Sequence, residues 1–145
     1  MSILPKMKLL KIATLMIFVE ESNLFATSNQ QASSKNGVYL DYQKNLMWQD
    51  DISAKEIRKN WDGAMDYCDN LTLAGYSDWC LPNKDDLESL FKQKNLLKNK
   101  QTAPYWSSSS VSSKIDSGWI IFFSNGSEAW RSKKIPNNVR CVRGR

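Results

Sequence analysis

The sequence contains no histidine. That absence excludes Cys–His and Ser–His nucleophilic pairs and removes a common ligand of zinc and copper. Glycine is sparse and scattered, six in 145 residues, so no glycine-rich loop is available to cradle a phosphate. The three cysteines, Cys68, Cys80 and Cys141, lie far apart and form no C-x-x-C pair, so transition-metal spacing is missing too. No apolar run approaches the roughly 20 residues that a membrane-spanning helix needs. Acid is missing from the end of the chain: nothing after Glu128 is negative, while Arg131, Lys133, Lys134, Arg140, Arg143 and Arg145 are all positive.

No cofactor is expected. Calcium would draw on clustered carboxylates, and the candidates are Asp50–Asp51 and Asp85–Asp86. The first pair suits a solvated loop and the second a helix N-terminus, so a structural calcium is not indicated. Nothing marks a particular carboxylate pair for glycoside hydrolysis. Cys80 sits between an acid–tryptophan pair and a leucine in "DWCL", which reads as a buried or disulfide-linked cysteine rather than a nucleophile.

What is present begins with a leader. Lys6, Lys8 and Lys11 precede the apolar run Ile12 to Val19, and small residues follow in "LFATS", the layout of a secretory signal peptide over residues 1–28. Cleavage near Ala26 or Ser28 is expected. A buried amphipathic helix and an uncleaved anchor are the competing readings. Loss of the leader removes three lysines and two glutamates, so the net charge falls from +5 to +4. The polar stretch 29–36 reads as a tether. The remaining 37–145 suffices for one domain and is too short for two. Hydrophobic residues at 41% and six tryptophans describe a packed core, not a disordered tail. Export would also permit a disulfide, and with three cysteines any of three pairings is open.

Along the domain, "VYLDY" and "LMWQ" flank a turn and predict a hairpin. Asp50 to Lys59 reads as a charged surface loop. Trp61, Ala64, Met65, Cys68 and Leu71 recur at helical spacing after the potential N-cap Asn60. In "AGYSDWCLPN", Pro82 bars a helix from continuing through it and Asn83 caps a second, shorter one carrying Leu87, Leu90 and Phe91. Lys92 to Gln101 reads as a basic connector. "YWSSSS", "GWIIFF", "SEAWR" and "NVRCVR" predict strands, with Asn125–Gly126 as a two-residue hairpin turn. Two helices packed on short antiparallel sheets make an α+β domain. The basic clusters, at Lys92 to Lys100 and after Glu128, would attract polyanions, with a merely solvated basic face as the plainer alternative.

Taken in order, "LMWQD", "WDGAMDYCDNLTLAGYSDWCLPNKDDLESL", "YWSSS", "GWIIFFSNG" and "VRCVRG" resemble the C-terminal domain family of the Legionella collagen-like protein, over residues 37–145. The resemblance implies a C-type-lectin-like fold whose terminal strands lie close together and whose loops present a binding surface. It implies a disulfide between Cys68 and Cys141, which leaves Cys80 as a thiol, at least partly buried, where the family usually has arginine. The calcium-lectin motifs Glu-Pro-Asn, Gln-Pro-Asp and Trp-Asn-Asp are absent. The family's namesake is a surface adhesin that recognises sulfated polysaccharide. The function expected here is therefore an exported, non-enzymatic binding domain, in the periplasm, on the cell surface or outside the cell. Its partner would be an anionic polysaccharide or another envelope or host surface component, and not nucleic acid. Trp130, Arg131, Lys133 and Lys134 are the expected ligand-binding residues, although strand alternation equally permits Trp130 to be core. The alternatives are a structural envelope domain that binds protein, and an enzyme on a scaffold like that of the sulfatase-modifying factor.

Overall fold

A hairpin of β1 (Val38–Asp41) and β2 (Leu46–Gln49) opens the domain, with Val38 opposite Gln49 and Asp41 opposite Leu46. Its turn is shaped by Asp41, whose carboxylate accepts the backbone N–H groups of Gln43 and Lys44 at 3.1 and 3.2 Å. Asn45 closes it at φ 54°, a left-handed conformation that asparagine tolerates better than most residues. The computed structural model describes residues 36–144. The expected leader, and the tether up to residue 35, fall outside the described residues.

Next come a single turn of helix, α1 (Ser53–Glu56), the two-residue β3 (Arg58–Lys59), α2 (Trp61–Asp69) and α3 (Lys84–Lys92). Both longer helices start where an asparagine offers its side chain. Asn60 Oδ1 accepts the Gly63 N–H and Asn83 Oδ1 accepts the Asp86 N–H, each at 2.8 Å. Asp85 and Asp86 sit in the first turn of α3, where the helix dipole favours negative charge. A 3-10 turn (Lys94–Leu96) leads to β4 (Pro104–Val111), β5 (Lys114–Phe122), β6 (Glu128–Ser132), β7 (Asn137–Asn138) and β8 (Val142–Arg143).

The strands form two sheets, ordered β1-β2-β8 and β3-β7-β4-β5-β6. The α+β class is thus observed, and the first hairpin and the last strand meet in one sheet. All pairings are antiparallel except β4 with β7, which run parallel at Tyr105 and Asn138. Alternation divides the larger sheet, apart from register shifts between β4 and β5 beyond Trp106. Trp106, Ile120 and Ala129 share one face, which packs on Ala64 and Cys68 of α2. Tyr105, Ile121 and Glu128 share the other, beside α3, where Phe123 fits between the rings of Phe91 (5.8 Å) and Tyr105 (4.7 Å).

Several expectations need correction. Asn125–Gly126 is not a two-residue turn. Phe122 pairs with Ser127 around a four-residue loop, because Phe123 turns inward to the α3-side core and lengthens the connection. Gly126 holds φ 78°, and a β-carbon there would run into the Phe91 ring. "NVRCVR" is two strands rather than one, because the chain crosses between the sheets through buried Val139, Arg140 and Cys141. Asp50 is not in a solvated loop. It is buried and paired with Arg140 at 3.3 Å, and it accepts the backbone N–H groups of Lys98 and Asn99, each at 2.9 Å.

"AGYSDWCLPN" is a framework segment. Ala74 (φ 53°) and Gly75 (φ 82°) form a tight turn closed by two reciprocal hydrogen bonds of 3.0 Å between Leu73 and Tyr76. Trp79, Leu81 and Pro82 are buried. Cys80 pairs with Val142 through two 2.9 Å backbone hydrogen bonds, extending the smaller sheet by one residue. The disulfide is Cys68–Cys141, as the resemblance implies. Cys80 is half-buried, with its sulfur 3.5 Å from the Val142 carbonyl oxygen.

Two outcomes follow for stability. Cys68 and Cys141 are 73 residues apart, so Cys141→Ser should lower the unfolding free energy in urea by about 4 kcal/mol in the loop-entropy account. Arg140→Ala leaves Asp50 buried without its cation and should cost about 3–5 kcal/mol. The double variant Asp50→Asn/Arg140→Met should recover part of that loss.

Candidate functional site

β6 forms one edge of the larger sheet, and the chain then turns back to insert β7 between β3 and β4. This route carries the basic segment 131–134 past the start of α2. The Trp61 N–H donates to the Lys133 carbonyl at 2.9 Å, and the Lys133 N–H donates to the Asp116 carbonyl at 2.8 Å. The loop is therefore pinned between α2 and β5, and its side chains start from a fixed backbone.

Each cation then has a distinct position. The Lys133 ammonium lies 4.0 Å above the centre of the Trp61 ring and 3.1 Å from Ser110 Oγ. The Trp61 ring itself lies against Gly118, where a side chain would collide with it, and its Nε1 donates to the Ser107 carbonyl at 2.9 Å. Arg131 Nη1 donates to Asn137 Oδ1 at 2.6 Å, with its guanidinium 6.0 Å from the Phe122 ring centre. Lys134 is exposed.

Two further cations join them through β3. Lys59 is the strand partner of Asn137 and Arg58 of Asn138, and Arg58 Nη2 donates to the Pro136 carbonyl at 3.0 Å. The Lys59 carbonyl accepts Trp106 Nε1 at 2.9 Å, so its backbone is anchored while its side chain is exposed. Among the described residues, the carboxylate ion pairs use Lys44, Lys84, Arg140 and Arg143 instead. Arg58, Lys59, Arg131, Lys133 and Lys134 thus form a group of cations without carboxylate partners, bordered by an indole.

Of the residues expected to bind ligand, the structure gathers Arg131, Lys133 and Lys134 and separates Trp130 from them. Trp130 is 48% exposed on the opposite face of β6, across from Trp119 of β5, so it is not a core residue. Arg58 and Lys59 are the members that sequence reasoning missed. Their only local signal is two basic residues before the Asn60 cap, and their approach to Pro136 and Asn137, just after the basic segment, depends on the β3–β7 pairing.

Other basic residues leave the set. Arg140 is buried. Arg143 grips Asp78 through Nε (2.6 Å) and Nη2 (3.0 Å) and stacks on Tyr76 at 3.7 Å, and these hydrogen bonds hold the Asp78 carboxyl below its usual range. Lys94 donates to the carbonyls of Phe123 and Ser124 at 3.1 and 3.3 Å. On the α3 side, Lys84 binds Glu128 at 2.6 Å, which lowers the Glu128 pKa, while burial raises that of Glu88. Among the described residues no cluster of three or more acidic or cysteine side chains is arranged to hold a metal, and no helix is long and apolar enough to cross a membrane.

The sequence profile of the Lcl C-terminal domain matches residues 37–143. The chain belongs to the Lcl C-terminal domain family. No curated protein matches it. The match runs from just before β1 to the end of β8, so this Lcl C-terminal domain includes both sheets, the disulfide and the whole cationic group.

The Asp78–Arg143 clasp gives this Lcl domain a defined acid response. A carboxyl with a lowered folded pKa contributes stability above its unfolded value, and that contribution disappears as pH falls through the folded value. Asp78→Asn should therefore lower Tm above about pH 4, and the difference from the unsubstituted protein should shrink and vanish as pH falls below that value through the lowered folded pKa. A difference that persists unchanged into acid would contradict this.

Proposed function

We propose that this protein is an exported, non-enzymatic binding domain that recognises an anionic glycan, sulfated or carboxylated, of an envelope or host surface. The observation that carries this reading is the group Arg58, Lys59, Arg131, Lys133 and Lys134, five cations without carboxylate partners among the described residues, held on a pinned backbone. Exposed cations of this kind attract polyanions over a Debye length and make charge-assisted hydrogen bonds on contact. Two features support a C-type-lectin-like scaffold. The first hairpin and last strand share a sheet, and the disulfide joins the longer N-terminal helix to the approach of the last strand. Catalysis is disfavoured by the lack of histidine and by the commitment of Cys68 and Cys141 to a disulfide. Export is supported by the leader pattern and by that disulfide.

The test is binding to immobilised heparin and to its desulfated form at about 0.05 M and about 0.3 M salt. The triple variant Arg58→Gln/Lys59→Gln/Lys134→Gln leaves the contacts of Arg131 and Lys133 in place. It should bind sulfated chains about tenfold more weakly, with a flatter salt dependence. Lys92→Gln/Lys100→Gln, which removes charge elsewhere, should change little. Equal loss in both variants would reduce the patch to a net-charge effect. No binding by the unsubstituted protein, with a protein partner recovered instead, would favour a structural envelope role.

A further inference from the structure

We infer that the opposite face of β6 carries a second subsite, built on Trp130 and Lys114, for a pyranose ring bearing a carboxylate or sulfate. One linear glycan chain would then be gripped from both sides of the sheet edge. This rests on the glycan-binding reading above and adds a location, a sugar class and a minimum ligand length.

The geometry begins with strand alternation. Trp130 and Arg131 are consecutive on an edge strand, so one side chain faces the α3 side and the other the α2 side. Arg131 belongs to the cationic group, and its neighbour projects to the far side of the same edge. Trp119, directly opposite Trp130, is half-buried and has the Lys84 ammonium 4.7 Å from its ring centre. Trp130 also has a lysine ammonium near its ring, yet it remains 48% exposed. An indole in that position adds little to a core, but it offers a flat apolar surface of the kind on which the axial C–H groups of a pyranose pack.

Charge selects which sugar. The Lys114 ammonium stands 4.1 Å from the Trp130 ring centre, and among the described residues it pairs with no carboxylate. A neutral ring would meet the indole alone, whereas a uronate or sulfated hexose would also satisfy Lys114. Ser132 follows on the same face of the edge strand as Trp130, opposite the buried Ser117. Among the described residues the outer edge of β6 also carries backbone groups with no neighbouring strand, which suit sugar hydroxyls. A second copy of the chain could use the same edge, but like charge on both copies, from Arg131, Lys133 and Lys134, opposes that pairing.

A length series of heparin oligosaccharides tests this, with affinities measured by titration for the unsubstituted protein, Trp130→Ala, Lys114→Gln and the triple patch variant. For the unsubstituted protein, affinity should rise about tenfold between fragments that fit the cationic patch alone and fragments long enough to cross the edge. Trp130→Ala and Lys114→Gln should abolish that step and leave short-fragment affinity unchanged. Trp130→Phe should restore part of it. If both single variants bind long chains normally while the patch variant does not, the second subsite is wrong and the cationic patch stands. If no variant has an effect, both readings fall. If sedimentation shows a dimer that Trp130→Ala converts to monomer with glycan affinity unchanged, the edge is a self-association surface and the inference is overturned.

Discussion

The buried contact between Arg140 and Asp50 is the constraint on which the rest of the structure depends. Both side chains are withdrawn from solvent, and together they join three segments distant in sequence. Arg140 donates to the carbonyls of Gln49, at the end of β2, and Asn99, in the connector after α3. Asp50 in return accepts N–H groups from Lys98 and Asn99. Hydrophobic burial has no direction, so it can bring these segments together without fixing how they align. A guanidinium that must satisfy carbonyls and a carboxylate at set angles does fix it. Such a pair adds little net stability compared with a well-packed apolar replacement, but loss of one partner strands the other.

From that point the remaining geometry follows. With Arg140 fixed, Val139 and Cys141 on either side of it enter the α2-side core, and Cys141 reaches Cys68. Immediately upstream, β7 is held between β3 and β4, and β3 brings Arg58 and Lys59 to the loop that follows β6. The cationic group is thus a surface expression of the same crossing between sheets that buries Arg140. Its members need not stabilise one another, because the backbone beneath them is already determined.

Much of this was legible in the sequence where the signal is local. Asn60 and Asn83 cap the helices that their neighbours predict, because a cap needs only the next three residues. The Cys68–Cys141 link came from resemblance to a family, since spacing left three pairings open. What was not legible depends on depth and on tertiary pairing. Arg140 and Arg131 have the same charge in a sequence, yet one is internal and the other lies at the surface. Asn125–Gly126 has the composition of a tight turn, but Phe123 finds more apolar area by turning inward than a two-residue turn allows. The site was half visible, as a charge bias after Glu128. Its other half lies about 75 residues earlier and became a neighbour only through a two-residue ladder.

The strand-like pairing of Cys80 with Val142 has a consequence for oxidative maturation. Trp79, Leu81 and Cys141 lie in the α2-side core, while Cys80 shares the opposite face with Val142. Attack on a disulfide requires a thiolate to approach along the sulfur–sulfur axis, and here a layer of hydrogen-bonded backbone lies between them. The third cysteine can therefore form wrong links only before β8 docks. Docking of β8 before oxidation would therefore favour the native Cys68–Cys141 link over the two pairings with Cys80.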